Sequence, residues 1–204
     1  TWSVTLNKGQ TYMVSSRGTT SVSNSRVTAN KPIGVITHTA CTDYKCAACD
    51  ILMAEMIPTK IWGTKYITAQ AQAKTGPGDY WEINSGVAAT TYVLNGTTYT
   101  LPIYSNRVHP MGANANAVIT SNNPIQVTQY SQGASCDGTA TTDPEHIMIY
   151  PETMWISDYT FSCSTLLTTT AAGVTLVVDD AAGARAFFQI DGVAVAATGW
   201  AFVN

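Results

Sequence analysis

The chain has 204 residues, of which 45% are apolar and only 11% charged, with a formal net charge of -3. That apolar share supports a core. The charged share, against about 25% in an ordinary domain, leaves Thr, Ser, Asn and Gln to face solvent, as in secreted and surface-displayed β proteins. The acidic balance and the scattered Lys and Arg exclude a nucleic-acid binder, which needs a clustered basic face, and no apolar run approaches the ~20 residues that span a bilayer.

From the N-terminus, which opens on Thr1-Trp2-Ser3 as a processed or excised fragment would, Val4-Thr5-Leu6 and Tyr12-Met13-Val14 flank the polar turn Asn7-Lys8-Gly9-Gln10 and predict a hairpin. Residues 15–26 are nearly all small and polar, as in a loop or weak edge strand. Pro32 has no N–H to give a ladder, so it opens a strand in which Ile33, Val35 and Thr37 alternate with Gly34, Ile36 and His38. Residues 39–50 carry three cysteines and read as a stapled loop. The run ILMAEMI at 51–57 reads as a short helical turn that caps the sheet, ended by Pro58. A strand is expected at Tyr66–Gln70, then a Gly/Pro turn at 74–79, then strands at Tyr80–Asn84, Thr91–Leu94 and Thr98–Leu101. Asn95-Gly96 is a strong two-residue hairpin signal, and Asp191-Gly192 matches it between Phe187–Ile190 and Val193–Val195. Residues 102–116 read as a loop, Ile119–Tyr130 as a strand, and 131–146 as a second Cys-containing loop. Ile147–Tyr150 stands where the first half has its helical turn, and strands are expected at Tyr159–Ser164 and Val174–Val178.

The two halves correspond. Val27 and Pro32 recur as Ile119 and Pro124, an offset of 92 (119 − 27, 124 − 32). Asp50, Pro58, Trp62 and Tyr66 recur as Asp143, Pro151, Trp155 and Tyr159, an offset of 93 (143 − 50, 155 − 62). Fixed internal spacing over one period signals a repeated unit. The expected fold is all-β: two tandem sandwich-like units related by internal duplication, over residues 1–97 and 98–204 and intimately packed. Trp62, Trp155, Ile33, Val35, Ile125 and Val127 are the expected core.

Five cysteines are present: Cys41, Cys46, Cys49, Cys136 and Cys163. The Cys46–Cys49 pair has CxxC spacing, but a zinc site wants a second ligand pair and a thioredoxin-like motif wants a βαβ setting, and neither is present. Disulfides, and hence an oxidising compartment, fit better. Cys136 and Cys163 are paired as the cysteines of the second unit. Within the first unit Cys41–Cys46 closes readily, and Cys46–Cys49 would strain a short turn. His38 beside Cys49 could be drawn as a thiol–imidazole pair, and Asp137, Asp143 and Glu145 as oxygen ligands for calcium. The cysteine count and the irregular carboxylate spacing speak against both. No nucleophile elbow or phosphate loop is present, so no catalytic residue, metal or cofactor is expected.

The segment NKPIGVITHTAC…CDILMAEMIPTKIWGTKYI, with NNPIQVTQYSQGAS…DPEHIMIYP and FQIDGVAV later, resembles the N-terminal domain family of the IgG-Fc-binding protein. Pro32, Val35, Cys41, Cys49, Pro58, Trp62, Gly63 and Tyr66 follow that family's order, and the similarity runs from about residue 4 to 200. Cys46 is extra, Ala54-Glu55 replaces the family's Glu-Gln, and His38 stands one residue off its His-x-Cys spacing. The family positions imply a Cys41–Cys49 bridge with Cys46 left over. The resemblance implies a non-catalytic extracellular adhesion module at a cell surface, not IgG binding as such. Its ligand would be a surface glycan or protein held by the loops at 39–50 and 131–146, through Asp43, Tyr44, Lys45, Asp137, Asp143 and Glu145. The alternative is a structural repeat of a surface appendage, with homo-oligomer or fibre neighbours on its strand edges.

Overall fold

The computed structural model describes residues 1–17, 21–42, 46–47, 49–70, 78–112, 115–137, 143–162, 174–178, 183 and 188–196. Strands β1 (Ile36–Thr42) and β2 (Asp50–Glu55) form one antiparallel pair. Strands β3 (Gly63–Thr68), β4 (Tyr80–Ser85), β5 (Thr90–Leu94), β6 (Thr97–Leu101), β7 (Ser105–Pro110), β8 (Ala117–Tyr130) and β9 (His146–Ile149) form a seven-stranded sheet. β10 (Gln189–Ile190) and β11 (Val193–Ala194) make a short hairpin. Described helix is limited to α1 (Ala134–Asp137) and two 3-10 turns, Thr59–Ile61 and Glu152–Met154. The fold is all-β, and its large sheet curls into half a barrel.

The 14-residue strand β8 is the axis of that sheet. Along one edge it pairs with β5 at residues 119–121 and with β4 at residues 125–130. Along the other it pairs with β3 from Ala117 to Ile125 and with β9 from Val127 to Tyr130. β6 extends the sheet beyond β5, and β7 beyond β4. Ile119, Ile125 and Val127 of β8 meet Tyr66, Trp81, Ile83, Tyr92, Leu94, Leu101 and Met111 in one buried cluster. Apolar side chains at alternate positions of several strands thus share one face, which is what the pleat dictates.

Several expectations are corrected. The ILMAEMI run is β2, not a helical turn: Leu52 is buried and Ala54 half-buried, while Ile51, Met53 and Glu55 are exposed. An unbroken apolar run hides that alternation from any reading of period. Residues 105–110 are β7, a polar strand at the sheet edge, where solvent takes one side. Residues 7–10 form their turn, with Gly9 at φ 81 and the Gln10 N–H on the Asn7 carbonyl, but no strands flank it. Residues 159–162 and 174–178 belong to no described strand, and the rest of 159–164 lies outside the described residues. Of the expected core, Ile125 and Val127 are buried, Val35, Trp62 and Trp155 are half-buried, and Ile33 is exposed. Trp62 lies over Gly86 and donates its indole N–H to the Ile57 carbonyl at 2.9 Å, so it seals a turn at the rim. The Asn95-Gly96 turn forms as expected, both residues at positive φ (47 and 79), as does Asp191-Gly192 (51 and 77).

Two stretches share the same local geometry. β1 and β2 pair Ile36 with Glu55, Thr37 with Ala54 and His38 with Met53. β8 and β9 pair Thr128 with Met148, Gln129 with Ile147 and Tyr130 with His146, the same register moved by 92 on the first strand (128 − 36) and 93 on the second (148 − 55). Each hairpin leads into a 3-10 turn capped by Pro58 and Trp62 or by Pro151 and Trp155. After each turn a tyrosine hydroxyl accepts a backbone N–H three residues back: Gly63 to Tyr66 and Ile156 to Tyr159, both at 3.1 Å.

Candidate functional site

The hairpins β1–β2 and β8–β9 lie side by side, with β2 against β9 and a cleft between them lined by Glu55, Met56, Ile57, Pro58, Ile61 and Tyr150. The expected loops at 39–50 and 131–146 are shorter than read from sequence, since 39–42 belong to β1, Asp50 to β2 and His146 to β9, and the described residues between these strands belong to neighbouring hairpins. The chain joins them covalently. Cys46 is bonded to Cys136, and the Ser135 hydroxyl donates to the Ala47 carbonyl at 2.9 Å. Cys41 is bonded to Cys49, which closes the first loop on itself.

This corrects the cysteine pattern. Cys46, expected to be left over, takes Cys136, so the expected Cys136–Cys163 bridge is not made; Cys163 lies outside the described residues. The physical reason is topology. The two Cys loops are 90 residues apart in sequence yet adjacent in space, because their parent hairpins pack together. Cys49 carries no thiol while bonded to Cys41, so the thiol–imidazole pairing with His38, which sits opposite Met53 in β1, has no nucleophile.

The second loop is anchored at its base. Ser131 N–H donates to the Glu145 carbonyl at 3.1 Å, and the Glu145 N–H returns to the Ser131 hydroxyl at 2.7 Å. Below them the Tyr130 and His146 rings stack at 4.8 Å, and burial lowers the His146 pKa. Asp143 and Glu145 are exposed on this anchored rim, and Asp137 closes α1. Asp43, Tyr44 and Lys45 lie outside the described residues. Among the described residues no three His, Cys, Asp or Glu are grouped to hold a metal ion, and no helix is long and apolar enough to cross a membrane. What sequence reading missed was the junction itself: no spacing rule tells which loops will meet.

A second polar cluster lies inside the sheet. Tyr92 and His109 are hydrogen-bonded at 2.6 Å, Tyr99 packs on His109, and the Arg107 guanidinium sits 4.8 Å over Tyr99. Burial, with Arg107 a smaller cause, lowers the His109 pKa, and burial raises that of Tyr92 to about 12. The Tyr92 and His109 rings are buried in the curled sheet, while Tyr99 is half-buried and Arg107 exposed.

A family model described as IgGFc binding protein matches residues 1–203. The chain belongs to that family. The family match spans both Cys loops and the whole of the curled sheet, so the disulfide-linked hairpins lie inside the family domain. Searches of curated proteins and of solved structures found no match.

Proposed function

We propose that this member of the IgGFc binding family is a non-catalytic extracellular binding module whose ligand surface is the joined pair of loops at 39–50 and 131–146. The observation that carries this reading is the Cys46–Cys136 bond, which fixes two loops from separate hairpins to one another. Loops held this way lose little conformational entropy on binding, which favours affinity. The two bridges also fit an oxidising, extracellular setting. Asp43, Tyr44, Lys45, Asp137, Asp143 and Glu145 are the proposed contacts, and the ligand is a surface glycan or protein. The test is a panel of glycans and host-surface proteins that includes IgG Fc, because the family description names it. Tyr44→Ala with Lys45→Ala, and Asp143→Asn with Glu145→Gln, should each weaken the detected interaction at least tenfold, while Thr97→Ala at the exposed start of β6 should not. Undiminished binding by both loop variants would sink this reading.

The same chain is further read as two copies of one unit, meeting near residue 97 and interleaved, not side by side. The matched registers of β1–β2 and β8–β9 and the matched Pro–Trp turns support it. In this reading β8 of the second unit is clasped by strands β3, β4 and β5 of the first.

A further inference from the structure

The first unit places β3 on the second unit's β8, and the same contact has a donor and an acceptor left over. The donor is the segment after the second 3-10 turn, residues 156–162, equivalent to β3. The acceptor is residues 25–33, equivalent to residues 117–125 of β8. Neither belongs to a described sheet. Both expose the side chains whose counterparts are sealed: Tyr159 is 63% exposed against 0% for Tyr66, Val27 60% against 0% for Ile119, and Ile33 52% against 0% for Ile125. Tyr159 is already set as Tyr66 is, its hydroxyl accepting the Ile156 N–H at the same 3.1 Å. Tyr66 then donates that hydroxyl to the Ile125 carbonyl.

We propose that residues 156–162 add as a strand to residues 25–33 of a second copy of this chain. The inference rests on the two-unit reading above and is independent of the loop surface. Moving the β3–β8 register by the repeat offsets pairs Asp158 with Thr28, Tyr159 with Val27, Thr160 with Arg26 and Phe161 with Ser25, and sends the Tyr159 hydroxyl to the Ile33 carbonyl. One position departs from the template: Ile156 stands where Gly63 passes tightly by Pro151, so the crossing beside Pro58 is wider by a side chain. A second copy is the occupant because the contact already seen runs head to tail, from first unit to second. It leaves an acceptor at one end and a donor at the other, and a heterologous contact of that kind propagates from copy to copy. Main-chain ladder bonds would supply affinity, and the Tyr159, Val27 and Phe161 side chains specificity.

The test uses the full chain with Cys163→Ser, so that introduced thiols have no other free partner. Copies carrying only Arg26→Cys are mixed with copies carrying only Thr160→Cys and oxidised. The expected result is a covalent dimer formed from the mixture and not from either variant alone, reduced at least tenfold by excess peptide of sequence 156–162 or by Tyr159→Asp in the donor. The template is checked by Ile67→Cys with Val118→Cys, which must cross-link within one chain. Failure there removes the β3–β8 template and the proposal with it, and leaves the two-unit reading, which rests on the matched hairpins and turns, standing. Success there without a mixed dimer overturns the docking alone. So does a chain carrying both Arg26→Cys and Thr160→Cys whose new bond closes only within the monomer.

Discussion

The Tyr66 hydroxyl takes the Gly63 N–H and donates to the Ile125 carbonyl, tying the start of β3 to the middle of β8 in a site where burial pushes its pKa up to about 12. Tyr66→Phe leaves a buried donor and a buried acceptor without their partner, and should cost about 1–3 kcal/mol. Tyr159→Phe loses the equivalent local bond in solvent, and in dilute protein should change stability by under about 0.5 kcal/mol. Urea midpoints of the two variants check the contrast; equal, small effects would show that the Tyr66 bonds carry no weight. His109 sets a pH dependence. Its pKa is lowered in the fold, so its contribution is complete above the unfolded value of 6.5 and is lost as pH falls through the folded value. His146 acts in the same direction. Stability should therefore fall as pH drops from about 7 to 5, and the slope should shrink in His109→Gln, which accepts a hydrogen bond but does not titrate. A melting temperature flat across that range would contradict the burial of both rings.

At the scale of elements, the two disulfides differ in what they constrain. Cys46–Cys136 closes a 90-residue span and Cys41–Cys49 one of 8. The chain-entropy estimate gives about 4–5 kcal/mol for the first and about 2–3 for the second. Replacing Cys46 and Cys136 by Ser should accordingly lower the urea midpoint more than replacing Cys41 and Cys49. Non-reducing peptide mapping should recover 41–49 and 46–136 linkages, and a 136–163 peptide would overturn the pairing. The elements also mark what the sequence made legible. Asn95-Gly96 and Asp191-Gly192 are readable because their turn chemistry is local. Ile125 and Val127 are readable because they alternate after a proline. β2 is not, since apolar residues on both faces erase the period, and β7 is not, since Ser105, Asn106 and Arg107 on an edge strand look like loop. The partners of Cys46 and Cys136 depend on hairpin packing, a long-range property that no local pattern carries. Tyr66 and Tyr159 stand out in sequence as a repeated pair, but nothing local tells that one is sealed and the other open.

For the molecule as a whole, the core takes in Trp81 and not the repeated Trp62 and Trp155. Trp81 is 1% exposed within the cluster around β8. Trp81→Ala should cost about 3–5 kcal/mol, whereas Trp62→Ala, at the half-buried rim, should cost less. Chemical denaturation ranks the two, and the reverse order would displace the core from the curled sheet to the turns. The placement of β8 has a consequence for how the protein is made. Translation delivers β3 through β7 before residue 117, yet β3, β4 and β5 each lay an edge on β8. Until β8 has left the ribosome, the earlier strands have, among the described residues, only the β1–β2, β5–β6 and β4–β7 pairs to form. A nascent chain stopped after Gly112 should stay protease-sensitive and show no cooperative transition. The order of synthesis thus ties closure of the clasp around β8, and of the bond from Cys46 to Cys136, to the arrival of the second half of the chain.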